Sequence, residues 1–195
     1  MVFFRVRVSG RENIPAKGAF VLVCNHQSYL DPMLCGGPIH RRVSFLARES
    51  LFNHWLFGRM ISSVGVIPVK MGEADISAMR KVLGKLKKGE GVCLFPEGTR
   101  TYDGKIAPLK PGLGLLCRRG GAAIVPVVID GAFECWPRHK KLFSPGSISV
   151  CYGKPISAEQ AKKMGDKKLA EVLTDTLRQM QTKSRIKQGK KPFDY

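Results

Sequence analysis

The chain has 195 residues, of which 33 are Lys or Arg and 15 are Asp or Glu, so it carries a formal charge of +18 at neutral pH with a pI near 10.0. With 44% hydrophobic and 25% charged residues it has ordinary globular composition, which excludes disorder of the whole chain. An excess of cations this large repels itself and attracts polyanions, so nucleic acid and anionic lipid are the partner classes to separate.

Residues 2–8 read as a short strand with Arg5 and Arg7 on one face, followed by a turn at Gly10. The apolar run 19–24 has strand length and no charge, the pattern of a strand covered on both faces. Asp31-Pro32 then supplies an N-cap and a first-turn proline, so a helix is predicted there and residues 25–30 form the handover from strand to helix. Residues 42–46 read as a strand, 51–61 as a helix apolar on nearly every side, and 64–69 as another strand. Residues 74–88 place Ile76, Met79, Val82, Leu83 and Leu86 at helical steps and stop near Gly89. A buried strand at 92–95, a helix at 111–119 and strands at 123–129 and 147–152 follow. Ser157 and Gln160 have the spacing of a capping box, and Leu169, Val172, Leu173, Thr176, Leu177 and Met180 mark one face of a last helix. Strands alternating with helices predict a single α/β domain with a mainly parallel central sheet flanked by helices, spanning 1–181. Residues 182–195, rich in Lys and Arg, are expected to be a flexible basic tail.

Six cysteines are scattered without a C-x-x-C pair and without His at zinc-finger spacing, so neither a disulfide framework nor a metal site is indicated. Several lie inside apolar runs as small hydrophobes, which fits a reducing, cytoplasmic compartment. The longest stretches free of Asp, Glu, Lys and Arg are 18–30 and 142–153, shorter than the roughly 20 residues needed to span a bilayer. The first ten residues have neither the apolar length nor the cleavage site of a signal peptide.

Two segments place polar residues directly after a buried strand: Asn25-His26-Gln27-Ser28-Tyr29-Leu30-Asp31 and Phe95-Pro96-Glu97-Gly98-Thr99-Arg100. Strand ends are where an α/β sheet collects its functional groups. In a continuous helix, residues five apart are separated by about 140°, so His26 and Asp31 could not meet. The residue before a proline is disfavoured in the helical region, which leaves the carboxylate able to fold back on the imidazole. A carboxylate-held imidazole is the general-base half of a triad. Ser28 reads as a backbone-bonding loop residue, and no G-x-S-x-G elbow is present, so the nucleophile is inferred to be a hydroxyl of the substrate. In the second segment Gly98 permits close backbone approach, Thr99 offers a hydroxyl and Arg100 a fork of donors suited to phosphate. Glu97 could orient Arg100 or hold a substrate hydroxyl.

The two segments together, with Gly65-Val66-Ile67-Pro68-Val69 between them and Ile124-Val125-Pro126-Val127-Val128 after them, resemble the four blocks of the glycerolipid acyltransferase family. The resemblance implies transfer of a fatty acyl group from coenzyme A or acyl carrier protein to the free hydroxyl of a lysophospholipid, first of all 1-acyl-sn-glycerol-3-phosphate. Other lysophospholipids and glycerol 3-phosphate are the alternatives. It implies His26 as base and Asp31 as its partner, with Glu97, Gly98, Thr99 and Arg100 binding the glycerol phosphate. No metal or tightly bound cofactor is implied, because the acyl thioester itself carries the activation.

One departure bears on the head group. Members of the family often carry Arg just after the second block, where this chain reads Val69-Lys70-Met71. Lys70 is a point charge rather than a fork, and Lys105 and Lys110 are further candidate anion contacts. Membrane attachment is expected to be peripheral and on the cytoplasmic face: Leu51, Phe52, Trp55, Leu56, Phe57 and Met60, flanked by Arg41, Arg42, Arg48 and Arg59, combine apolar bulk with attraction to anionic lipid. A nucleic-acid-binding protein is the rival reading of the charge. It is set aside because no recognisable binding motif is present and the basic residues are not interleaved with exposed aromatics.

Overall fold

The apolar run at the heart of the sequence, Phe20–Cys24 (β2), is completely buried and forms the middle of a sheet. A computed structural model describes residues 3–49, 66–69 and 76–195. Within it the chain runs β1 (Phe4–Ser9), a single 3-10 turn, β2, α1 (Asp31–Gly36), β3 (Val43–Arg48), β4 (Ile67–Val69), α2 (Ile76–Lys87) and β5 (Gly91–Leu94). It continues as α3 (Leu113–Gly120), β6 (Ala123–Asp130), α4 (Ala132–Cys135), β7 (Gly146–Tyr152), α5 (Ala158–Met164) and α6 (Asp166–Lys187). The predicted helix 51–61 and Lys70 lie outside the described residues.

The seven strands are ordered β1-β7-β6-β2-β5-β3-β4. Every neighbouring pair is parallel except β6 and β7, so the expected mainly parallel α/β architecture is present. Period-two alternation sends Val21 and Val23 to one face with Val82 and Leu86 of α2 and Leu169, Leu173 and Leu177 of α6. Phe20, Leu22 and Cys24 go to the other, with Cys35 of α1, Ala132 and Cys135 of α4, and Tyr152 of β7. Each large apolar side chain removed from water in this way contributes about 1.5–3 kcal/mol, which is why the strand has no room for a polar residue until it ends. Cys35 and Cys93 touch on this second face, sulfur to sulfur at 3.3 Å.

Several local readings change and one is borne out. Asp31 is not the N-cap of α1: Leu30 occupies that position in helical geometry, and Asp31 opens the helix itself with Pro32 after it. The fold-back on His26 therefore comes from the non-helical stretch 25–28 bending over the helix start, not from displacement of residue 31. The predicted capping box is formed, Ser157 Oγ accepting from Gln160 N and Gln160 Oε1 from Ser157 N. The last helix runs through Lys187, past the expected boundary at Gln181. Residues 182–195, expected as a flexible tail, are tied back to the domain because Arg185 and Lys190 find the buried carboxylate of Asp130. Arg185 donates to Asp130 at 3.0 Å and to Glu134 at 3.2 Å, and the Tyr195 hydroxyl meets Gln181 and the Ile106 amide.

Candidate active site

β2 and β5 are neighbouring parallel strands in the register Val23 to Leu94, a separation of 71 residues. Extending that register beyond both strand ends brings residue 26 beside residue 97, and there the His26 amide donates to Glu97 Oε1 at 2.7 Å across the same separation of 71. The two polar segments are thus neighbours because the sheet register makes them so. On the other flank Asn25 continues the strand pairing with its side chain: its amide donates to the Ile129 carbonyl at 2.9 Å and accepts from the Ile129 amide at 2.8 Å.

Asp31 organises the turn between. Its Oδ2 accepts from Gln27 N at 2.6 Å, from Ser28 N at 2.8 Å and meets His26 Nδ1 at 2.7 Å. A carboxylate oxygen can only accept, so Nδ1 is the donor in that contact, and in the neutral ring Nε2 is the acceptor. The Asp31 side chain has no solvent exposure and that of His26 has 22%, so the imidazole opens outward from a dry support. Phe95 stacks on the imidazole with ring centroids 4.2 Å apart and planes 23° from parallel. Ser28 is fully buried. Its Oγ donates to the Trp136 carbonyl at 2.8 Å and accepts from Leu30 N at 3.3 Å, a loop residue with its proton and one lone pair already used.

Glu97 does something the sequence did not suggest. Its two oxygens accept from backbone amides, His26 N and Ala107 N at 2.9 Å, which clamps three chain segments together. Burial pushes its carboxyl up to about 7, against the pull of those two amides and of the nearby imidazole. Gly98 adopts φ +78°, in the left-handed region, and a Cβ there would fall 2.9 Å from Lys110 Nζ, so the turn needs glycine and brings the Lys110 ammonium over it. Arg100 lies flat on the Tyr29 ring, 3.6 Å from its centroid, and its Nη1 is buried without a hydrogen-bond partner. Thr99, Arg100, Lys105 and Arg178 are among the residues lining a cavity of about 470 Å³ next to Glu97.

Of the sequence-predicted residues, His26, Asp31, Glu97, Gly98, Thr99 and Arg100 come together, with Lys110 against Gly98 and Lys105 on the cavity wall; Lys70 lies outside the described residues. Gln27, Tyr29 and Arg138 were not singled out. Gln27 and Tyr29 fall on the unspecified positions between His26 and Asp31. Arg138 sits in a stretch with no hydrophobic period to mark it. Among the described residues no group of three or more His, Cys, Asp or Glu is placed to hold a metal ion.

An imidazole backed by a buried carboxylate, in register with a turn whose guanidinium has no carboxylate partner among the described residues, is an arrangement that can activate a hydroxyl beside an anion. The acyltransferase family model matches residues 5–130 of this chain, which therefore belongs to that family. Among its relatives, a 1-acyl-sn-glycerol-3-phosphate acyltransferase of Bacillus subtilis is 29% identical over 175 residues, covering 89% of this chain and 85% of the relative. The chloroplastic 1-acyl-sn-glycerol-3-phosphate acyltransferase LPAT1 of Arabidopsis thaliana is 30% identical over 82% of this chain. This chain spans only 46% of that longer protein. The crystal structure of the acyltransferase PlsC from Thermotoga maritima superposes with a TM-score of 0.82 at 27% identity, over 93% of this chain and 73% of that one.

Proposed function

We propose that this protein is an O-acyltransferase that moves a fatty acyl group from a thioester, carried by coenzyme A or acyl carrier protein, to the free hydroxyl of 1-acyl-sn-glycerol-3-phosphate. The observation that carries the reading is the 2.7 Å contact of His26 Nδ1 with buried Asp31, fixed in register with the 97–100 turn, in a chain of this family. The acceptor named by its relatives agrees with an anion-binding turn at that place.

In the reaction, His26 Nε2 takes the proton of the acceptor hydroxyl as its oxygen attacks the thioester carbonyl. A C–O bond forms and the C–S bond breaks. The imidazolium returns its proton to the leaving thiolate, so the products are the diacyl phosphate and the free thiol. Asp31 holds the Nδ1–H tautomer and offsets the imidazolium charge. Proton transfer by such a base is worth about 10²–10⁴ in rate. Arg100 binds the acceptor phosphate, while Glu97 holds the His26 segment against the turn. Lys105 and Lys110 add positive potential, and Lys70 is a further contact to test. Most of the other cations, with the 51–60 segment, hold the enzyme peripherally on anionic lipid. No helix among the described residues is long and apolar enough to cross a membrane.

The test is an assay of the purified protein with acyl-CoA and acyl-carrier-protein donors against lysophosphatidate, other lysophospholipids and glycerol 3-phosphate, read by mass spectrometry. Phosphatidate is expected as the main product and His26→Ala should abolish it; full activity of that variant would defeat the mechanism. Liposome binding that survives Phe52→Asp with Trp55→Asp would count against the membrane anchor.

A further inference from the structure

A second arginine reaches the turn that carries Arg100. Arg138, in the loop after α4, donates from Nη1 to Thr99 Oγ1 at 3.1 Å and to the Arg100 carbonyl at 3.3 Å. Its guanidinium lies over the Tyr102 ring, 4.1 Å from the centroid, as that of Arg100 lies over Tyr29. The turn 99–102 is therefore flanked by two arginine–tyrosine stacks.

The chemistry of these contacts matters more than their number. A guanidinium fixed by a carboxylate is positioned and neutralised at once. One fixed by an aromatic face, a hydroxyl and a carbonyl is positioned with its charge intact. Among the described residues no carboxylate lies within ion-pair distance of Arg100 or Arg138, although Arg185, Lys85, Lys168 and Lys190 all have acidic partners. Arg100 on the turn and Arg138 bonded to it are like charges that repel each other, a cost the fold bears with no counter-ion among the described residues. Arg138 spends only Nη1 on the protein, leaving Nε and Nη2 as donors, and Arg100 Nη1 is buried and unpartnered.

We infer that Arg138 is the second arm of a two-arginine clamp for a phosphomonoester dianion, the head group of the acceptor. Arg100 of the 99–102 turn and Arg138 bonded to that turn both meet the phosphate, and Thr99, whose oxygen already accepts from Arg138, is left to donate its proton to the same group. The inference rests on the acceptor proposed above and adds to it a determinant of head-group specificity supplied by an element outside both polar segments.

Two acceptors of the same glycerol backbone separate this from a structural role: 1-acyl-sn-glycerol-3-phosphate, and 1-monoacylglycerol, which lacks the phosphate. Arg138→Ala should raise KM for the phosphorylated acceptor about 10- to 100-fold, the range expected for loss of charge-assisted hydrogen bonds, with kcat within about 3-fold. It should leave turnover of the neutral acceptor unchanged. Arg138→Lys should recover only part of the loss, because an ammonium cannot reproduce the fork. Equal losses on both acceptors would mean that Arg138 only braces the turn, and no change on either would mean that it does not meet the substrate; both overturn the clamp. If the wild-type protein fails to acylate lysophosphatidate, the acceptor reading falls, and the clamp is decided by phosphorus NMR titration with sn-glycerol 3-phosphate. There, binding weakened at least 10-fold in Arg138→Ala sustains the clamp, whereas wild-type protein that does not bind, or a variant that binds equally, refutes it.

Discussion

The two halves of the site are built on opposite terms. In the 25–31 segment the polar side chains are committed to the protein: Asn25 to Ile129, Gln27 to the Gly104 carbonyl, Ser28 to Trp136, and Asp31 Oδ2 to three donors at once. At the 97–101 turn Arg100 lies over an aromatic ring with Nη1 unpartnered, and Arg138, reaching in from the loop after α4, is held by a ring and neutral oxygens. The first half spends its hydrogen bonds to fix one imidazole, while the two guanidiniums at the second keep donors unspent. A general base gains from rigidity because its geometry must be right before the proton moves, while an anion site gains from donors left unspent.

Asp31→Asn strikes the rigid half hardest. Asp31 Oδ1 is buried without a partner, so the amide NH₂ can take its place while the amide oxygen keeps the bonds to Gln27 N and Ser28 N. Loss of the negative charge beside the imidazolium should lower kcat by about 10²–10⁴-fold, with a melting temperature close to wild type; a collapse of the fold instead would show that the charge, not the bond pattern, holds the turn. Glu97→Gln tests the join between the halves. One of the two amides that Glu97 now accepts would face an NH₂ group, at a cost of about 1–3 kcal/mol. The sign of its pH dependence is also fixed. A buried carboxyl raised to about 7 binds more protons folded than unfolded between its usual range and that value, so its contribution to stability falls as pH rises through that window. Urea unfolding at intervals from pH 5 to pH 8 should show this slope in wild type and lose it in the variant.

Smaller changes probe the unspent half. Arg100→Lys should raise KM for the phosphorylated acceptor about 10-fold by losing the planar fork, with little change in kcat. Tyr29→Leu removes the ring beneath Arg100 and should raise the same KM only about 2- to 5-fold, the worth of an exposed cation–π contact. An effect of Tyr29→Leu as large as that of Arg100→Lys would mean the ring itself belongs to the binding surface.

Much of this arrangement is legible in the sequence because it depends on local signals. The charge-free run of β2, the polar break after Cys24 and the Ser157 box each follow from burial or capping within a few residues. What escapes is nonlocal. The antiparallel entry of β7 and the four-residue helix Ala132–Cys135 carry no periodicity of their own. The helix beyond Gln181 reads as a solvated tail until Asp130, buried on a distant strand, is seen to take Arg185. Leu30 rather than Asp31 is the N-cap of α1 because the carboxylate has better donors in the turn above it than at the helix end. Arg138 is one basic residue among several until a tyrosine ring and Thr99 pick it out.

The sulfur contact between Cys35 and Cys93 has a use unconnected with chemistry at the site. Cys24, Cys35 and Cys93 are wholly buried on β2, α1 and β5, the three elements that carry His26, Asp31 and Glu97 to their places. A thiol in that position meets an alkylating reagent only when the seam between those elements opens, so its labelling rate measures the opening equilibrium. Cys151, partly exposed on β7, provides an internal reference in the same molecule. The protein thus carries a native gauge of how often the support of the His26 imidazole comes apart, and a ligand that tightens the site should slow the buried thiols while leaving Cys151 untouched.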